Sequence, residues 1–466
     1  MTNNLDLRPL WAAQTIAVVG ATERVGAIGR LPIEYLTKFG FDGFIAPVNP
    51  KGGTILGLPA FQSMAEIPQH IELALIMVPA SSVREAVKDC AAAGVEVAIV
   101  MSSGFGEVDP DGQIAQQELV DIARADGMRL VGPNCIGSVG GARRVMATFS
   151  PVFSSESTPL PAGNVALVSQ SGALGFGALS LGLERGVPIG IAITTGNEAD
   201  VTATEVAAQL AQDPEVDAVV MYVESLGNMD QLIRVAGSKP IAILKAGRSV
   251  AGAAAAASHT GALASPDKVV SAVLTQNGIA RANNIDELLD IAALFASEKK
   301  ISGPAVGIVT TSGGSGILAV DALESEGLTL AELSAETVTA LEEIVPSYGN
   351  ATNPVDVTAA VMAESGLFER CVNRLSTDPS VNAIVACFAV LVGKDVDRIA
   401  QALGAVRENT GLPVVAVRTG AAALAPEGAQ VLKEAGIPVY PTPERAVAAL
   451  RALVTINTPE RKNLAP

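Results

Sequence analysis

Val165-Ala-Leu-Val-Ser-Gln-Ser-Gly172 and Val306-Gly-Ile-Val-Thr-Thr-Ser-Gly313 read as one strand and one turn written twice. Each is a short apolar run closed by a hydroxyl residue, then Ser-Gly at the mouth of a helical pattern, as expected of a buried strand feeding a helix. The likeness continues outward in the same order. Asn197-x-x-Asp200-Val matches Asn353-x-x-Asp356-Val, Asp213-Pro-Glu-Val-Asp-Ala-Val-Val matches Asp378-Pro-Ser-Val-Asn-Ala-Ile-Val, and Pro240-Ile-Ala-Ile-Leu-Lys matches Pro413-Val-Val-Ala-Val-Arg. Because polar residues recur along with the apolar ones, an internal duplication is the better account than a shared taste for apolar strands. The copies differ at two places. Glu224 falls opposite Ala389, and His259 has no counterpart, the later copy containing no histidine.

A third α/β block precedes them. Apolar runs at Thr15–Val19, Gly43–Val48, Leu73–Val78, Val95–Met101 and Arg129–Val131 alternate with helical patterns such as Ser82–Ala93 and Gln113–Ala125. That alternation predicts a doubly wound parallel sheet. Ser150–Gly163, rich in Ser and Pro, reads as a linker, and Ser297–Pro304 as a second break. The expected domains are therefore 1–145, 160–298 and 303–460.

Composition narrows the functions. The 466-residue chain carries 48 acidic and 31 basic side chains, a formal charge of −17, which disfavours nucleic acid and anionic membrane surfaces as partners. A polyphosphate ligand must then be held by backbone N–H groups, helix N-termini and a few cations. The N-terminus has no signal-peptide pattern, no run is long and apolar enough for a membrane span, and the four cysteines are scattered without a CxxC pair. No metal site is expected, and a cytoplasmic location fits.

Several turns could carry chemistry. Gly20-Ala-Thr-Glu-Arg-Val-Gly26 follows a strand, where glycines let backbone approach a phosphate. A nicotinamide dinucleotide would want an acidic residue after the second strand. Here Pro47-Val-Asn-Pro-Lys51 ends on a lysine, which suits the 3′-phosphate of CoA better than a ribose diol. Val78-Pro79, Ser102-Ser-Gly-Phe-Gly106 and Gly132-Pro-Asn134-Cys-Ile-Gly137 stand at further strand ends, where open α/β sheets gather ligands. Ser169-Gln-Ser171-Gly172-Ala173 opens a helix whose N-terminus favours an anion. His259 lies in Ala257-Ser-His259-Thr-Gly261, after a run of small residues. Imidazole is a competent phosphoryl nucleophile when a carboxylate holds its other ring nitrogen, and Glu224 is the acceptor at hand. The other histidine, His70, follows Pro68 in an expected loop and reads as an ordinary surface residue.

With these motifs in order, the chain resembles the α subunits of the NDP-forming acyl-CoA synthetases (ADP-forming acetate–CoA ligases) and, more distantly, that of succinyl-CoA synthetase. Lys51-Gly-Gly-Thr-x-x-Gly57-Leu-Pro, Gly132-Pro-Asn, Ser169-x-Ser-Gly-x-Leu174 and the His259 loop carry the resemblance, which spans nearly the whole chain. It implies a Rossmann-like CoA-binding domain followed by two flavodoxin-like ligase-CoA domains. It implies CoA on Gly20, Ala21, Thr22, Glu23, Arg24 and Val25, on Lys51, on Val78 and Pro79, and on Ser102, Ser103, Gly104 and Asn134. It further implies phosphate on Ser169, Ser171, Gly172 and Ala173, phosphorylation of His259, and Glu224 bonded to the imidazole. The implied activity is an ADP-forming acid–CoA ligase acting on a small carboxylic acid. The ATP/ADP and Mg²⁺ site is expected on a separate ATP-grasp β subunit, in a homo- or hetero-oligomer. A CoA-responsive regulator without ligase activity is the alternative. A dehydrogenase is disfavoured by Lys51.

Overall fold

The computed structural model describes residues 6–254, 266–298, 300–389, 391, 393–424 and 426–457. His259 lies outside them. The chain divides into two units, Met1–Ile285 and Asp286–Pro466.

The first unit holds two sheets. One has five parallel strands, in spatial order Phe44–Val48, Thr15–Val19, Leu73–Ile76, Val97–Val100 and Arg129–Val131. Leu73–Ile76 and Val97–Val100 are buried at every position. That is why these strands are apolar throughout: helices cover both faces. The helix Ala80–Ala92 lays Val83, Ala86, Val87, Cys90 and Ala91 on the sheet at three- and four-residue spacing.

The other sheet is seven-stranded: Ala280–Ala282, Ile241–Lys245, Ala218–Val223, Val165–Ser169, Ile189–Thr194, Gly137–Gly140 and Val145–Thr148. Its first five are parallel. The last two form an antiparallel hairpin joined to the edge, with Ala192 opposite Val139. The sequence runs this hairpin on from the first block, but its hydrogen bonds belong to the second sheet.

Within this unit the two sheets are tied by a buried charge cluster. Asp200, whose side chain is fully buried, accepts from Arg124 Nε, Arg129 Nε and Leu130 N, each at 2.9 Å, and Arg129 also donates to Glu205 Oε1 at 2.8 Å. Burial alone would raise the Asp200 carboxyl, but the two guanidinium groups and the Leu130 N–H outweigh it and hold it below the ordinary carboxylate range.

The second unit is built on Thr329–Leu330, Ala305–Thr310, Ala383–Ala389, Val414–Thr419 and Val439–Tyr440, with Val355–Asp356 also pairing Ala305–Thr310. Counted along the chain with the short Val355–Asp356 set aside, all three sheets place five parallel strands in the order 2-1-3-4-5. In that topology connections leave strands 1 and 3 on opposite faces, opening a crevice at their carboxyl ends. The four cysteines are free and buried. No helix among the described residues is long and apolar enough to cross a membrane.

Candidate functional site

At the switch point of the first sheet lies a cavity of about 550 Å³ lined by Gly20, Thr22, Arg24, Val78, Pro79, Ser102, Ser103 and Asn134 among others. Glycine is required at Gly20. Its φ is +92°, and a methyl group there would stand 2.7 Å from the Met77 carbonyl oxygen. The turn is thus pressed against the next strand end, leaving its outer side to the cavity. Ser102 closes the neighbouring strand end by donating to the Val78 carbonyl at 2.5 Å. Asn134, at φ +59°, takes a left-handed conformation that Asn tolerates better than most side chains, and its N–H donates to Ser102 O at 3.0 Å.

The other residues implicated by sequence lie outside the cavity wall. Ala21 is buried backbone bonded to Val48, Val25 is exposed, and Glu23 accepts from Leu56 N at 3.0 Å. The Gly104 N–H is taken by Glu107 Oε1 at 2.6 Å. Burial would raise the Glu107 carboxyl, but bonds from Gly104 and Asn197 outweigh it and the group sits below its ordinary value. Lys51 is exposed. Its loop is coupled to the glycine turn by Asn49, whose Nδ2 donates to Ala21 O at 2.8 Å and whose Oδ1 accepts from Lys51 N at 2.9 Å. Asn49 stands inside the quoted Pro47–Lys51 motif, yet only its partner 28 residues earlier discloses its part.

The wall also includes Met77, Met101, Cys135, Ile136 and Phe149. Ile136 links the cavity to the second sheet. Thr194 Oγ1 accepts from Ile136 N and Gly137 N, each at 3.1 Å. A methyl on Gly172 would come within 2.6 Å of Ile136 Cγ1. The helix Gly172–Arg185 therefore starts directly behind a wall of the cavity. Ser171 caps it, its hydroxyl accepting from Leu174 N at 3.4 Å, and Ala173 in the first turn is exposed. Ser169 is different. It is fully buried and its hydroxyl donates to Ser171 O at 2.7 Å, so it shapes the turn from inside.

Glu224, half-buried, follows the strand Ala218–Val223. Its N–H donates to Gln170 Oε1 at 2.5 Å and its Oε1 accepts from Tyr222 OH at 3.5 Å. Burial, with the Glu224 charge added, pushes the Tyr222 hydroxyl up to about 12. Gln170 Nε2 donates to Glu198 Oε2 at 2.8 Å, and burial raises the Glu198 carboxyl against the pull of its hydrogen bonds. Lys245, 2% exposed, donates to the Ala246 carbonyl at 2.7 Å at the end of the strand Ile241–Lys245. Its ammonium pKa is lowered by that burial. His70 pairs with Glu96 Oε1 at 2.8 Å on the surface. Gln170 and Glu198 went unassigned by sequence, although the duplication puts Thr311 and Pro354 at their places.

Family models match along the chain in three stretches: a CoA binding domain over residues 14–140, a succinyl-CoA ligase like flavodoxin domain over 162–295 and a Ligase-CoA domain over 306–457. The α subunit of acetate–CoA ligase [ADP-forming] I from Pyrococcus furiosus is 35% identical over 459 residues, covering 96% of this chain and 97% of its own length. A longer relative, acetate–CoA ligase [ADP-forming] I of Archaeoglobus fulgidus, is 34% identical over 95% of this chain but only 63% of itself. Among solved structures, the dinucleotide-forming acetyl-coenzyme A synthetase 1 of Ca. Korarchaeum cryptofilum, in complex with phosphate and ADP, superposes with a TM-score of 0.89 at 30% identity, covering 99% of both chains.

Proposed function

We propose, from the premise that this chain belongs to the ADP-forming acetate–CoA ligase α-subunit family, that it is the CoA-binding and phosphoryl-carrying subunit of an acid–CoA ligase. The reaction is acid + CoA + ATP = acyl-CoA + ADP + phosphate. The observation that carries the reading is Gly172 packed on Ile136. It brings an anion-ready helix start to the wall of a cavity whose glycine turn has the closeness a phosphate ligand needs.

The CoA fit rests on the cavity itself. Gly20 gives the cavity a wall without a side chain, while Thr22, Arg24, Ser102, Ser103 and Asn134 supply polar groups around it. Lys51, exposed on the loop tied to the turn through Asn49, is the cation proposed to meet the 3′-phosphate of CoA. In the acyl-CoA-consuming direction a phosphate oxygen attacks the thioester carbonyl carbon, the C–S bond breaks, and the thiolate leaves and takes up a proton. The His259 imidazole then attacks phosphorus in the acyl phosphate. The P–O bond to the acyl group breaks and the carboxylate departs. Glu224 accepts from the other ring nitrogen and balances the charge that develops there. The first turn at Gly172 and Ala173 offers N–H donors to the phosphoryl oxygens. ADP in turn receives the phosphoryl group as the P–N bond breaks, and the reverse sequence makes acyl-CoA.

The nucleotide, with Mg²⁺, is assigned to an ATP-grasp β subunit. The Archaeoglobus relative supports that division, since more than a third of its length lies beyond the match to this chain. A regulator without ligase activity draws no support from relatives that are themselves ligases.

Two measurements test the reading. Calorimetry is expected to favour CoA over 3′-dephospho-CoA, with Lys51→Ala reducing the preference; equal affinities in the wild type would remove the CoA assignment of this loop. The purified chain is expected to form ADP from ATP only when an ATP-grasp subunit is added. Acyl-CoA synthesis by the chain alone would place the nucleotide site within it.

A further inference from the structure

We propose that Gln170 and Glu198 are positioning residues that hold Glu224 at the phosphoryl-transfer site; the inference rests on the reading of His259 and Glu224 given above. Gln170 is 8% exposed and stands between two carboxylates. Its Oε1 accepts from two successive backbone N–H groups, Glu224 at 2.5 Å and Ser225 at 3.0 Å. Its Nε2 donates to Ser225 O at 3.0 Å and to Glu198 Oε2 at 2.8 Å. The amide has one orientation that satisfies all four groups. Turned over, its NH₂ would face two N–H donors, and its oxygen would face a carbonyl and a carboxylate.

Glu198 sets that orientation, and it is itself tightly held. Its Oε1 accepts from Thr195 Oγ1 at 2.8 Å and from Ala203 N, the first residue of the next helix, at 2.7 Å. Its φ is +55°, a region a side chain of this size seldom enters. Such a conformation persists where the surroundings over-determine it, most often at functional sites.

The duplicated sheet supplies the control. Thr311 stands at the place of Gln170 and keeps the same backbone bond, its N–H donating to Cys387 O at 3.0 Å as Gln170 N does to Tyr222 O at 3.0 Å. Its shorter side chain accepts from Ala389 N at 3.4 Å. Pro354 stands at the place of Glu198 and Ala389 at that of Glu224. A fold requirement would have kept the unit in both sheets. Only the sheet that carries the acceptor also carries the clamp.

A charge swap tests this. In Glu198→Gln two amide NH₂ groups meet, and in Gln170→Glu two carboxylates meet. In the double variant the new amide at position 198 donates to a carboxylate at position 170, which still accepts from the N–H groups of residues 224 and 225, while the Ser225 carbonyl loses its donor. The readout is the rate at which the full chain, given acyl-CoA and labelled phosphate, acquires label at His259, with CoA affinity measured alongside. Each single variant is expected to label at least about tenfold more slowly. The double variant is expected to recover part of that loss, labelling at least about threefold faster than the slower single. CoA affinity is expected to stay unchanged throughout. Should a single variant fail to fold, Gln170→Thr, which installs the residue of the later sheet, is read in its place and is expected to be slow. Single variants at the wild-type rate, or a double variant no faster than the slower single, overturn the inference alone. No label at His259 in the wild type overturns the underlying reading and the inference with it.

Discussion

After their first strands the two duplicated sheets put the same turn to different ends. In the second sheet Ser171 caps the helix Gly172–Arg185 with its own hydroxyl, and Gly172 backs onto the cavity wall. In the third, Ser312 makes no side-chain cap, and a carboxylate moves in. A methyl on Gly313 would stand 3.0 Å from Asp356 Oδ2. The aspartate at the matching place in the second sheet, Asp200, is drawn away by Arg124 and Arg129. One inherited aspartate thus stands beside the helix start in one copy and is held by two arginines in the other. The second copy is also the one with Gln170, Glu198, Glu224 and His259. A duplicated domain can keep its fold while the surroundings of one turn change.

The comparison is most exposed to failure at Asp200. Asp200→Asn removes one partner of the buried Arg129, which keeps Glu205, and of the exposed Arg124, and is expected to lower stability by about 3 kcal/mol in chemical denaturation. Because the Asp200 carboxyl is held below its ordinary value, its contribution is complete above the ordinary carboxylate range. It is lost as pH falls through the depressed folded value, so wild type and variant should converge in acid. A constant difference down to strongly acidic pH would mean the cluster is not the source. Next comes Glu224→Ala, which gives the second sheet the residue of the third. It is expected to slow labelling of His259 about a hundredfold while CoA binding holds. Loss of CoA binding in parallel would assign Glu224 to the fold instead. The smallest effect is expected for Asp356→Asn, about 0.3–1 kcal/mol of stability from a lost charge at a helix start. Ligase activity should not change. A phosphoryl label appearing in the third block of that variant would break the comparison.

Much of this was legible beforehand. Thr15–Val19 and Arg129–Val131 were bounded correctly because fully buried parallel strands are continuous apolar runs between glycine turns. The duplication was legible because its polar residues recur in the same order. The hairpin Gly137–Gly140 and Val145–Thr148 was not, since it lacks a two-residue hairpin turn and its partner strand is some fifty residues away. Nor was the use of Gln170, whose partners lie 28 and 54 residues on. Side chains that act through distant backbone groups leave no local pattern. Ser169 illustrates the reverse: a motif position with a hydroxyl, read as facing phosphate, that folding turns inward.

The central claim is that the second sheet alone carries the phosphoryl group, on His259. Incubation with acyl-CoA and labelled phosphate, followed by peptide mapping, tests it directly. The account predicts an acid-labile, alkali-stable label on the His259 peptide, absent from His259→Ala while CoA affinity is retained. Label that persists in His259→Ala, or that maps to His70 or to residues beyond 303, would contradict it.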